Sequence, residues 1–144
     1  MFPSSFPYNF MHLIWENLIP NLISLWRGEF KKLPLEGEDF VLEKAIFKEV
    51  CAASVHAGDT IPASFGCRVP DLHKRGEFTA DSATMWTLYI APIVLRGRFK
   101  NNKYYNHFID LVRLLTLCLN YELLRAKVAE IEDGFICWVK EYEK

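Results

Sequence analysis

Apolar residues recur with helical spacing along most of the chain. We predict helices over 10–25, 39–57, a third from about 79, 102–120 and a fifth from about 124. No stretch alternates apolar and polar residues in the way that a strand requires. The pattern predicts an all-α fold of about five helices, with two irregular Pro/Gly-rich connections over 27–37 and 58–78.

Proline, glycine and threonine mark the expected helix boundaries. Pro20 and Pro92 lie inside helical stretches, where we expect a kink or a restart because proline lacks the backbone N–H. Gly58 is expected to follow the last residue of the second helix as its C-terminal glycine. Thr79 is expected to cap the third helix, with Asp81 favourable in its first turn.

The last three helices have faces of different character. The third contains the run MWTLYIAPIVL, which is apolar nearly all round and predicts the most buried element. In the fourth, a polar stripe (Asn106, Asp110, Arg113 and Asn120) is expected to leave the neighbouring His107 exposed. The fifth has an apolar seam spaced for packing on another helix, formed by Leu124, Val128, Ile131, Phe135, Trp138 and Tyr142. Gly134 in this helix costs about 1 kcal/mol relative to alanine.

Composition limits the class of protein. A chain of 144 residues predicts one domain, 1–144, and 51% hydrophobic with 15% aromatic residues argues against disorder. A net charge of −1 argues against nucleic-acid binding through bulk charge alone. The four cysteines form no CxxC pair, and the sequence has neither a charged signal-peptide region nor an apolar run long enough for a membrane span. We expect an intracellular protein that is neither secreted nor transmembrane.

Positive charge is concentrated in the segment LRGRFKNNKYY, residues 95–105. Its bases are Arg96, Arg98, Lys100 and Lys103, and Tyr104 is one of its three aromatic residues. The segment precedes the fourth helix, whose first backbone N–H groups favour phosphate, and its aromatic rings could stack on unpaired bases. The segment is therefore a candidate DNA-binding site. The alternative is a solvated loop whose tyrosines begin the core face of the helix.

Two further groups of residues could carry chemistry. His12 and Glu16 lie one helical turn apart and, with Asn9, could form part of a metal site, but two ligands are too few for one. The alternative is that Asn9 caps the first helix and that His12 and Glu16 form an ordinary i,i+4 pair. Cys67 beside Arg68 could have a lowered pKa, although a packed structural loop is the simpler interpretation. No phosphate-binding glycine loop or hydrolase motif indicates a small-molecule substrate.

Five blocks of the chain, taken in order, resemble one family. They are FPYNFMHLIWENLIPNL, TIPASFGCRVP, FTADSATMWTLYIAPIVLRGRF, KYYNHFIDLVRLL and GFICWVKEYEK. They are similar to an internal segment of the transposases of CACTA-type DNA transposons, in the branch common in mushroom-forming fungi. Residues 1–26 resemble the segment around the second catalytic aspartate, and 38–144 resemble the helical insertion region that follows.

The resemblance implies an RNase H-like enzyme in which a DDE triad of acidic residues holds two metal ions. The family's aspartate in the block D-x-M-H corresponds here to Asn9, while Met11 and His12 match. An amide lacks the negative charge that holds Mg²⁺, and the other acidic residues of the triad are absent from this chain. The resemblance thus implies a fragment or degenerate remnant with no intact catalytic residue, no metal site and no cofactor, since Mg²⁺ belongs only to the intact enzyme.

By this resemblance, we expect a helical domain with an ancestral role in DNA handling or assembly during transposition. Its implied interactions are weak DNA binding, self-association and association with a full-length transposase, with a nuclear location and no membrane or small-molecule ligand. The alternative function is a protein-interaction or structural module without a nucleic-acid role, which the excess of apolar residues favours.

Overall fold

Every regular element in the described part of the chain is helical. The computed structural model describes residues 11–62, 69, 71–120 and 124–144, and it contains five helices and no strand within these ranges. The prediction of an all-α fold of about five helices is confirmed. The chain divides into two compact units, Met1–Lys100 and Asn101–Lys144.

The first unit contains three of the helices and the second unit contains two. The first helix begins as a π-helical segment, Met11–Leu18, and continues into α1 (Ile19–Trp26). The second helix is α2 (Lys44–Asp59), and a 3₁₀ turn follows at Arg75–Glu77. The third helix consists of α3 (Ala80–Met85), a π-helical segment Trp86–Ile90 and α4 (Ala91–Val94). The second unit contains α5 (Asn102–Cys118) and α6 (Arg125–Tyr142). None of the helices in the described ranges combines the length and the apolar character required to cross a bilayer.

Both prolines inside helices follow a π-helical segment. Pro20 and Pro92 are each the second residue of the α-helix that comes next. The N–H of Ala91 donates to the carbonyl of Trp86, five residues back, so the hydrogen bonds change register just before Pro92. Pro92 thus lies in the first turn of the next α-helical segment, a position that tolerates proline, and the helix changes type where we predicted a kink or restart.

The first unit is built on large apolar side chains from all three of its helices. The π-helical segment Met11–Leu18 packs against α3, and α2 packs against α4 and the second π-helical segment. The largest buried residues include Trp15, Ile19, Trp26, Phe47, Val50, Trp86, Leu95 and Phe99. The ring of Trp26 meets the ring of Phe99 edge to face at 5.6 Å between centroids.

A polar contact connects α2 to the third helix inside this apolar core. The hydroxyl of Ser54 donates to the carbonyl of Val50 at 2.8 Å and accepts from Nε1 of Trp86 at 3.0 Å. Ser54 is fully buried and Trp86 nearly so. The nearby Thr87 is also fully buried, and its hydroxyl has no hydrogen-bond partner among the described residues.

The predicted boundaries hold at Thr79 and are wrong at Gly58. The Thr79 hydroxyl accepts from the backbone N–H of Ser82 at 3.2 Å, and the Ser82 hydroxyl accepts from the backbone N–H of Thr79 at 3.0 Å, which makes a capping box. Gly58 lies inside α2, one residue before its end. A Cβ at Gly58 would come within 2.6 Å of Val69, so close packing explains this glycine better than a left-handed C-terminal turn.

The third helix, which we predicted to be the most buried element, is exposed on one side. Trp86, Ile90 and Ala91 are buried as expected, but Tyr89 is 65% exposed and Ile93 is 75% exposed. An uninterrupted apolar run cannot show which side of a helix lacks a neighbour. The prediction is wrong for this one face of the helix.

In the second unit, α5 and α6 pack on each other. The polar stripe of α5 is exposed as predicted, while Phe108, Leu111 and Leu115 are buried. The α6 seam is only partly covered: Trp138 is buried, but Leu124, Val128 and Tyr142 at its two ends are exposed.

His107 is half-buried, which corrects the prediction that it is exposed. Its ring stacks on Trp138 at 4.4 Å between centroids with an interplanar angle of 8°. The indole N–H of Trp138 donates to the carbonyl of His107 at 2.8 Å, and the His107 Nε2 lies 3.0 Å from the carbonyl oxygen of Trp138. These reciprocal contacts join α5 to α6, so His107 has a structural role.

Candidate nucleic-acid interface

The boundary between the two units falls inside the basic segment. Arg96, Arg98 and Lys100 belong to the first unit, whereas Lys103 and Tyr104 belong to the second. Their environments are therefore those of two separate units.

In the first unit, two buried apolar side chains fix the position of the segment that follows α4. Leu95 and Phe99 are buried, and the edge-to-face contact with Trp26 accounts for Phe99. Gly97 between them has φ of +70°, a left-handed conformation that glycine adopts without steric cost. This turn leaves Arg96 and Lys100 exposed, and Phe99 is not free to stack on a base.

Arg98 is paired within the first unit. Its Nη1 lies 2.5 Å from Oε2 of Glu49 on α2, and the arginine side chain is about one-third exposed, at 35%. The pair joins the segment to α2 and neutralises the charge that we assigned to a DNA phosphate. Arg98 is therefore a weaker candidate for DNA binding than the sequence indicated.

Arg96 and Lys100 remain as the candidate phosphate ligands of the first unit. Both are exposed, and neither forms an ion pair within the described ranges. A positively charged side chain that is exposed and unpaired can bind an anion without first breaking a contact in the protein.

In the second unit, the start of α5 is already capped. The side chain of Asn101 accepts from the backbone N–H of Lys103 at 3.0 Å, so one of the amide donors that we expected to favour phosphate is occupied. Lys103 is exposed and places its Nζ 4.8 Å from the centroid of the Tyr104 ring, which is half-buried. One face of the predicted stacking residue is thus covered by its neighbour.

Sequence reasoning missed Tyr89 and Ile93, the two exposed apolar residues of the first unit's third helix. Ile93 follows Tyr89 by four residues, about one helical turn, and Arg96 lies in the turn just after α4, where its backbone N–H donates to the carbonyl of Ile93 at 3.4 Å. The one sequence signal that could have indicated the exposure of Tyr89 and Ile93 is the pair of charged residues that flank the apolar run, Asp81 and Arg96. The surface formed by Tyr89, Ile93 and Arg96 is called the Tyr89 face below.

The other sequence-predicted site residues do not form a metal centre in the described part. Nδ1 of His12 contacts Oε2 of Glu16 on the exposed side of the first helix, as expected for an ordinary i,i+4 pair. Asn9, Cys67 and Arg68 lie outside the described residues. No group of three or more His, Cys, Asp or Glu side chains is arranged to hold a metal ion within the described ranges.

The second unit has an open groove of about 460 Å³ between α5 and α6. Lys103 and Arg113 line it together with Asp110 and Glu141. A hydrogen bond from Lys144, reinforced by the charge of this lysine, lowers the pKa of the Glu141 carboxyl and keeps it ionised. The mixed charges do not favour a polyanion in this groove.

Among known proteins, no family model, no curated protein and no solved structure matches this chain.

Proposed function

We propose that this chain is a helical domain derived from a CACTA-type transposase, which contacts DNA and lacks nuclease activity of its own. The ordered sequence blocks support the family. The cations Arg96 and Lys100, which are exposed and form no ion pair within the described ranges, support the contact with DNA.

The proposed binding is weak and sensitive to salt. Two phosphate contacts release few counterions, and the net charge of −1 adds no long-range attraction to DNA. Because both residues act on phosphates, binding is expected to tolerate changes in DNA sequence.

The experiment compares two double variants of the full chain by fluorescence anisotropy with labelled duplex DNA over a range of salt concentrations. Arg96→Glu/Lys100→Glu is expected to reduce affinity at low salt and to lower the slope of log K against log salt by about 1.8, or about 0.9 per lost phosphate contact. Arg125→Glu/Lys140→Glu is the matched control. It replaces one exposed arginine and one exposed lysine that also lack an ion pair in the described part, and it changes the net charge equally.

Equal loss of affinity in both double variants would show that only net charge matters, and it would remove the site from the proposal. The same duplexes, carrying terminal inverted repeats, are also incubated with the chain and Mg²⁺ or Mn²⁺. We expect no cleavage or strand transfer, and cleavage that a chelator abolishes would contradict the absence of nuclease activity.

The second candidate function is a protein-interaction or structural module. The observation that favours it is a set of exposed apolar residues on α6, Val128, Ile136 and Val139, together with Leu124 just before the helix. Sedimentation of the full chain separates the two functions. Concentration-dependent association without DNA binding supports the module, whereas a monomer that binds DNA supports the first proposal.

A further inference from the structure

We infer that the Tyr89 face binds single-stranded DNA, with a base stacked on the ring of Tyr89 and the neighbouring phosphate bound by Arg96. This inference rests on the proposed function and specifies its substrate as a strand with unpaired bases.

The aromatic ring of the Tyr89 face is accessible to a ligand. Tyr89 is 65% exposed and makes no hydrogen bond or ring contact with a described residue. Ile93 is 75% exposed, one helical turn further along the same helix. Single exposed apolar residues are common on protein surfaces, but a tyrosine and an isoleucine on adjacent turns form a small apolar patch.

Positively charged side chains follow this patch along the chain. Arg96 follows Ile93 by three residues, is exposed and forms no ion pair within the described ranges. Lys100 also forms no ion pair with a described residue, and it follows Arg96 by four residues, beyond the left-handed turn at Gly97. An apolar, aromatic patch that is followed within one turn by a cation is complementary to a ligand with a flat apolar face and a neighbouring negative charge.

Stacking on Tyr89 is possible with single-stranded DNA but not with duplex DNA. In a duplex the flat faces of the bases stack on one another, so no base face is available to the ring of Tyr89. In a single strand the base faces are accessible, and stacking on an aromatic side chain contributes about 1–3 kcal/mol per base without sequence preference. The Tyr89 face therefore favours a single strand over a duplex.

The experiment measures the affinity of the full chain for labelled oligothymidylate and for the duplex of oligothymidylate with oligoadenylate, at about 50 mM salt. We expect tighter binding to the single strand. Tyr89→Ala should weaken binding to the single strand by about 5- to 150-fold, the effect of losing one stacked base, and leave binding to the duplex unchanged. Tyr89→Phe should restore it, because stacking requires the ring and not the hydroxyl.

Two controls distinguish the possible failures. Val55→Ala removes a half-exposed apolar side chain elsewhere in the first unit and should change neither affinity. Equal affinity for both DNA forms with no effect of Tyr89→Ala would overturn this inference alone, whereas failure to bind either form would overturn the proposed function. Competition by polyglutamate as effective as that by oligothymidylate would show that the face recognises charge only, and it would also overturn the inference.

Discussion

At the scale of single residues, the most consequential side chain in the first unit is a serine. Ser54 lies on α2 among apolar neighbours, and its hydroxyl is the acceptor for the indole N–H of Trp86. A buried tryptophan needs such an acceptor, because an indole N–H removed from water without a partner is costly. Sequence reasoning identified Trp86 as a core residue, but it had no means of pairing it with a serine that lies 32 residues earlier.

Replacing Ser54 by alanine should lower the free energy of unfolding by about 1–3 kcal/mol, because the N–H of Trp86 would lose its buried partner. Chemical denaturation of the full chain measures the change. Ser24→Ala is the matched control, since the Ser24 hydroxyl also donates to the carbonyl four residues back but bonds no tryptophan. Equal effects of the two substitutions would show that the contact with Trp86 contributes nothing.

At the scale of helices, the packing of α5 on α6 depends on a missing side chain. Gly134 lies inside α6, where glycine is unfavourable, and a Cβ there would overlap Cδ2 of Leu114 on α5. Leu114 is buried, and its side chain would have to change conformation to admit the new methyl group. The glycine therefore allows close approach of the two helices at a cost to helix propensity, a reason that the sequence pattern did not show.

Gly134→Ala should destabilise the chain by about 1 kcal/mol, since the clash with Leu114 exceeds the gain in helix propensity. The same substitution in a Leu114→Ala background should instead stabilise, because the clash is absent and the propensity gain of about 1 kcal/mol remains. Thermal or chemical unfolding of the four proteins in this cycle gives both values. An alanine that stabilises in both backgrounds would refute the packing role of Gly134.

At the scale of the whole molecule, the chain contains two compact units where the sequence pattern predicted one domain, and that prediction stays untested. Nothing in the composition around Lys100 marks a boundary, because the segment there is basic and aromatic like a surface loop.

The stability of the whole molecule is expected to depend on pH through its buried thiols. Burial, reinforced by the negative charge of Asp71, raises the pKa of the Cys51 thiol to about 11, and burial raises the pKa of Cys118 as well.

We expect the free energy of unfolding to fall as pH rises from about 8.5, the pKa of an unfolded thiol, towards about 11. In this interval the unfolded chain releases the Cys51 proton while the folded chain retains it, so alkali favours unfolding. Denaturation between pH 8 and 10 measures the slope, which should be smaller in Cys51→Ala. Cys137→Ala removes an exposed thiol and should keep the slope of the original chain. An unchanged slope in Cys51→Ala would contradict the prediction.

The sequence by itself determined the helical class, the approximate positions of the helices and the cap at Thr79, because these depend on apolar periodicity and on hydrogen bonds between near neighbours. The start of α2 is an exception, since we predicted it at residue 39 and the helix begins at Lys44. It also placed the basic residues in one segment. Only the tertiary structure decided that Arg98 is paired with Glu49, that His107 stacks on Trp138 and that Tyr89 is exposed. Each of these depends on which helix lies opposite a given face, and a periodic pattern shows that a face is apolar but not what covers it.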